Sequence, residues 1–412
     1  MSIPIVLDKS TFQGLNYNDI IELHRYYIVN ITPLIVSEIL GDLSKEEKTG
    51  RKTPKEEVIN LSKKLFPYNS YVNMPYDLII ENSFFGNFVN SENRPFLVAD
   101  ESITTKGKKG LTSKETDEEI SIKRWKKGNF NNLDDIASTL WRKKTKDESV
   151  INEFKSEFEH LENIKVTNTK TSNPEKLQEL KELKEKFFER INIEMEPEDV
   201  LERMLNYFKL DAEKITQILD RWKRGGFGDL DKFAEYAYYC YSVASMFYIG
   251  MNNSLFGERL TNLLDLEYLF YAPFAKVFTS NDKFLILLYN TIQPKNVVFI
   301  SLESLKSDLK KFQEINTPED FAKTPPYKDT ETFKIWDSTF DLELTERLKP
   351  TEKDFKRAKK EFEEILKMAE SGESGKFEGE PDFLVKERFM SVDDPCFCRS
   401  GKALGECHYK GK

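Results

Sequence analysis

The chain has 412 residues, of which 39% are hydrophobic and 32% charged, and its formal net charge is −9. That balance excludes a uniformly basic nucleic-acid binder while leaving room for local basic patches, and the 13% of aromatic residues leave a core within reach. No apolar run approaches the length of a membrane span, and the first residues lack the basic region and apolar stretch of a signal peptide, so a soluble cytoplasmic protein is expected.

The first element is a strand over Ile3–Leu7, apolar at nearly every position, as suits a strand covered on both faces of a parallel sheet. It runs into Asp8-Lys-Ser10. A helix follows over about residues 17–27 with Asn16 or Asn18 as cap, then a strand over 27–31. Thr32-Pro33 is a good N-cap and first-turn pair for a helix over 34–43 that carries Glu38. The β-α-β-α order predicts an α/β sheet. Residues 44–64 are Lys/Glu-rich and helical, 94–100 read as a short strand, and 101–130 as a loop. A long helical stretch covers 133–219 with a polar break at 167–173. Within it, 176–190 reads as a solvated helix. Gly225-Gly-Phe-Gly228 reads as a hinge rather than a phosphate loop.

The α/β pattern then resumes. An apolar helix spans 230–251 and holds Cys240 as a core residue. A short helix over 264–271, a strand over 276–280, a turn at Asn281-Asp282, a helix over 283–289, a strand over 296–300 and a helix over 302–312 complete it. Beyond 317, a helix over 358–368 and a linker over 371–376 precede the tail. The expected organisation is an α/β domain in two parts, 1–44 and 226–315, split by a mostly helical insertion, 45–225. A helix and linker, 316–390, and a small module, 391–412, follow.

Four carboxylates carry the candidate chemistry: Asp8, Glu38, Asp265 and Asp282. Ligand sites of parallel sheets lie at the carboxyl ends of the strands. Asp8 and Asp282 follow strands, and Glu38 and Asp265 are expected near helix starts facing the same edge. Four acids there need a counter-ion, and Mg2+ or Mn2+ takes carboxylate oxygens. Glu267 rivals Asp265, and Asp42 rivals Glu38. These segments resemble the PIN-like nuclease superfamily through Asp8-Lys-Ser10, through the helix bearing Glu38, and through the helix, strand and turn from Asp265 to Asp282. The resemblance implies a three-layer α/β fold and a metal-dependent endoribonuclease. In it Asp8, Glu38, Asp265 and Asp282 ligate the catalytic ion, and Ser10 and Ser280 bond the acids or a phosphate.

Basic clusters at Lys106-Gly-Lys-Lys109, Lys123-Arg-Trp-Lys-Lys127, Trp141-Arg-Lys-Lys144 and Arg221-Trp-Lys-Arg224 combine cations for phosphates with tryptophans that can stack on bases. Lys123, Arg124, Lys126, Lys127, Arg221 and Arg224 are the candidate RNA contacts. The competing reading puts each tryptophan in a core and leaves the cations solvated. No nucleophile elbow and no P-loop is present.

The tail concentrates sulfur. Cys396, Cys398, Cys407 and His408 offer three thiolates and an imidazole, a closed set suited to a structural zinc ion, in a segment too short to build a core of its own. Pro395 to His408 resembles the SEC-C motif, with Arg399 and Leu404 departing from it at positions that are not ligands. A closed set recruits rather than catalyses. The second functional reading is a non-catalytic adaptor that binds RNA, a ribosome or a chaperone such as SecB through this module.

Overall fold

The computed structural model describes residues 2–47, 52–65, 70–87, 89, 93–97, 101–105, 108–114, 116–166, 172–314, 329–340, 356 and 387–391. The described residues hold eight strands: β1 (Ile3–Leu7), β2 (Tyr27–Ile31), β3 (Ser70–Val72), β4 (Glu101–Thr105), β5 (Lys108–Lys114), β6 (Val277–Thr279), β7 (Val298–Phe299) and β8 (Glu387–Ser391). Five of them form one parallel sheet in the order β3-β2-β1-β6-β7. β1 is its centre, with Ile5 opposite Val29 on one side and Leu7 opposite Thr279 on the other. All five of its residues are buried. A side chain of that size stabilises the fold by about 1.5–3 kcal/mol when fully buried.

Local signals explain the crossovers. Asn16 accepts from the Asp19 amide while Asp19 accepts from the Asn16 amide, a reciprocal cap that starts the helix Tyr17–Tyr26 and selects Asn16 over Asn18. Thr32 caps the helix Pro33–Gly41 through the Ile35 amide. The chain winds outward from β1 to β2 and β3, then returns to the other flank of β1. That reversal makes a crevice between β1 and β6 at the carboxyl end of the sheet, the usual ligand site of such folds.

The structure corrects several boundaries. β3 belongs to the parallel sheet, so the α/β layer continues past residue 44 into the segment expected to be insertion. Three short residues gave too little pattern to find it. Residues 101–130 are not a loop: β4 and β5 pair antiparallel with each other and β5 with β8, and a helix spans Asp117–Lys126. Residues 94–97 form no strand; 98–100 lie outside the described residues. The helix Asn173–Glu189 is not merely solvated, for it buries Leu180, Leu183 and Phe187. The apolar run past residue 230 is a buried helix, Glu235–Asn252, with Cys240 fully enclosed.

The helical segment shares the core of the sheet rather than building its own. The helix Asn132–Lys144 lies on Pro33–Gly41, with Trp141 set over Gly41 and Ser138 bonded to Ser44 at 2.6 Å. A Cβ at Gly41 would stand 2.2 Å from the Trp141 ring. At the far side, Thr332 donates to Asp308 and meets the Tyr27 hydroxyl at 2.7 Å, tying the helix Glu331–Thr339 to the start of β2. Among the described residues no helix is long and apolar enough to cross a membrane.

Gly41→Val should therefore force Trp141 and its helix outward. The expected loss is about 1–3 kcal/mol, the cost of overpacking, read as a lower urea midpoint with an unchanged slope; an unchanged midpoint would show that this contact is loose.

Candidate active site

Asp8 is the hub of the crevice. It is buried, caps the helix Lys9–Gly14 by accepting from the Thr11 amide at 2.8 Å, and accepts from Ser10 Oγ at 2.8 Å and Ser280 Oγ at 2.6 Å. Ser280 in turn accepts from the Asp282 amide at 2.9 Å, and Asp282 caps the next helix through the Phe284 amide at 2.8 Å. The two strand-end acids are thus linked through one serine. Both serines donate to Asp8.

Glu38 and Asp265 approach from helices, though not from helix starts. Glu38 sits in the second half of Pro33–Gly41, and Asp265 is the last residue of Leu260–Asp265. Burial pushes the Glu38 carboxyl up; Asp8 and Asp42 add to the rise, and Lys9 and a hydrogen bond from Tyr268 oppose it. Asp265 is pushed up to about 8, first by burial and then by the charges of Glu38, Asp282 and Asp8, against Lys9. All four acids therefore lie within electrostatic reach of one another. None of the described residues donates a hydrogen bond to Asp265, and Glu38 Oε1 and Asp282 Oδ2 are likewise without donors among them.

The two rivals separate. Asp42 Oδ1 is bound by Lys9 and Lys45, each at 2.7 Å, while its buried Oδ2 has no hydrogen-bond partner among the described residues. Glu267 accepts from the Tyr76 hydroxyl at 3.3 Å and is pushed up to about 7, by burial first and with Glu38 adding. Among the described residues no three His, Cys, Asp or Glu side chains are gathered tightly enough to ligate one metal ion together. That arrangement still suits Mg2+, which is commonly held by one or two carboxylates with water filling the remaining positions.

The basic clusters divide by exposure. Trp125 and Trp222 are core residues that donate to Asp134 at 3.0 Å and to the Gly228 carbonyl at 3.1 Å, so neither is offered to a base. Arg124 is held by both oxygens of Asp134, and Arg221 by the Phe84 carbonyl at 2.6 Å and the face of Phe233. Lys127 and Arg224 are exposed, while Lys123 and Lys126 are half-buried. The cluster nearest the acids is the one ending in Lys144, whose charge acts on Glu267. The side chains of Lys106 to Lys109 and the four zinc candidates, Cys396, Cys398, Cys407 and His408, lie outside the described residues.

Two site residues escaped the sequence reading. Lys9 donates to the Glu38 carbonyl and to Asp42, each at 2.7 Å, and its position between Asp8 and Ser10 was the available signal. Tyr268 donates to Glu38 Oε2; it stands one turn beyond Asp265, but an aromatic there reads as core. No family model matches the chain, nor does any curated protein or solved structure.

The raised Asp265 gives a pH signature. Between the ordinary carboxylate range and about pH 8 the folded chain keeps a proton that the unfolded chain releases, so stability falls as pH rises through that window. Asp265→Asn in chelator should melt above the wild type at about pH 9, with the gap closing toward about pH 4. A gap independent of pH would show that Asp265 ionises freely.

Proposed function

We propose that the chain is a metal-dependent nuclease of the PIN-like kind that hydrolyses phosphodiester bonds in RNA, with a C-terminal zinc module that directs it. The observation that carries this is the acid edge at the switch point. Burial first, and then the charges of Glu38, Asp282 and Asp8, lift Asp265 to about 8, and three of the four acids hold oxygens without donors among the described residues. Unpaired oxygens of clustered acids are what a hard divalent cation binds.

One or two of Glu38, Asp265 and Asp282 would hold Mg2+ or Mn2+ directly, with water filling the remaining positions, and Asp8 would complete the negative field from a position fixed by Ser10, Ser280 and Thr11. Such an ion supplies an activated water and neutralises charge on a phosphodiester oxygen. The chain itself orients the acids through the serine link and keeps Lys9 beside Glu38 as a partial counter-charge. Lys143 and Lys144 are in the last turn of the helix that lies on the Glu38 helix, and the Lys144 charge reaches Glu267; these cations would offer contacts to a phosphate backbone. The closed Cys3His set has no open position for chemistry, which supports recruitment rather than catalysis.

Purified protein with Mn2+ should cleave single-stranded RNA, and Asp8→Asn or Asp282→Asn should each lower the rate by about 100-fold or more, as misplacement of a reacting group does. Cleavage unaffected by both changes would sink the assignment. Cys396→Ser should release one zinc ion per chain by elemental analysis and leave cleavage of free RNA intact; loss of both would place the tail within the catalytic body.

A further inference from the structure

Three of the four acids have their own donors at the edge. Asp8 is held by two serines and an amide, and Asp282 by the Phe284 amide. Glu38 is the single glutamate of the set, with one more rotatable bond than an aspartate, so it loses the most rotamer freedom on being ordered. Its backbone carbonyl is gripped by Lys9 Nζ at 2.7 Å. Its carboxylate is gripped by Tyr268, whose hydroxyl donates to Oε2 from 230 residues away in sequence. The Tyr268 side chain is 1% exposed and is one of the largest fully buried side chains among the described residues.

We propose that Tyr268 is a positioning residue for the nuclease site: it holds Glu38 Oε2 so that Oε1 faces the incoming divalent ion. The inference rests on the reading above that the acid edge binds such an ion. A phenol suits the task because its ring is fixed by the core while its single O–H fixes one carboxylate oxygen. A serine or water in its place would leave Glu38 free to turn. Hydrogen-bond partners of metal-binding carboxylates act in this way generally, and their removal weakens metal binding about 10–100-fold.

The test titrates Mn2+ into the full chain by calorimetry for wild type, Tyr268→Phe and Tyr289→Phe. The control loses the hydroxyl of another buried tyrosine, which donates to the Val297 carbonyl at 2.9 Å rather than to an acid. Tyr268→Phe should bind Mn2+ about 10–100-fold more weakly, while Tyr289→Phe binds as the wild type does and both melt alike. Equal affinity in wild type and Tyr268→Phe overturns the proposal, as does an equal loss in the control. A second route avoids dependence on one variant. Glu38→Asp withdraws the carboxylate from the phenol, so adding Tyr268→Phe to it should cost no further affinity; independent losses in that double-mutant cycle would overturn the proposal. Wild type that binds no Mn2+ defeats the nuclease reading itself, an outcome distinct from wild type that binds and Tyr268→Phe that binds equally.

Discussion

The placement of β1 between β2 and β6 is the constraint from which the rest follows. Parallel pairing on both edges makes the strand fully internal, which is why Ile3 to Leu7 are all apolar. It also sets Leu7 opposite Thr279, so the residues just beyond each strand emerge side by side. Asp8 then meets Ser280 across 272 residues of sequence. The switch in winding direction at this pair opens the crevice, and two helix-borne acids close it.

Holding like charges together works against folding, and the chain answers it locally. Lys9 is the cation placed nearest: it lowers the cost of ionising both Glu38 and Asp265 while binding Asp42. Asp42 takes both Lys9 and Lys45 on Oδ1, so its charge is largely offset there. Asp265, pushed up to about 8, and Glu267, pushed up to about 7, are the acids whose burial favours a proton near neutrality. A site poised in this way is stable without a cation and has charge in reserve for one, since binding a cation would favour release of that proton.

How much of this was legible in the sequence depends on the range of each signal. Asp8, Thr32-Pro33 and Asn16 announce themselves through neighbours three residues away, because caps are local chemistry. The apolar strands at 3–7 and 27–31 and the buried helix after residue 230 were readable for the same reason. β3 was not, since three residues carry too little periodicity and its place in the sheet is decided by β2. In the tryptophan-bearing basic clusters the indoles of Trp125 and Trp222 are buried while Lys127 and Arg224 are exposed, a distinction that only packing reveals. Arg124 and Arg221 look like phosphate ligands in sequence and prove to be ligands of Asp134 and of a backbone carbonyl. Tyr268 was hidden because a tyrosine in an apolar helix fits the core equally well with or without a partner for its hydroxyl.

The central strand also sets a timetable. β1 is made first and needs β6, which leaves the ribosome some 270 residues later; at about 5–20 residues per second that is roughly 15–50 s of synthesis. During that interval an apolar strand has one edge filled by β2 and the other open. Contacts this distant in sequence form slowly, and unpaired strand edges are where chains associate wrongly. A protein built around such a strand assembles its acid edge through a late long-range event, so the crevice exists only once about two thirds of the 412 residues are in hand.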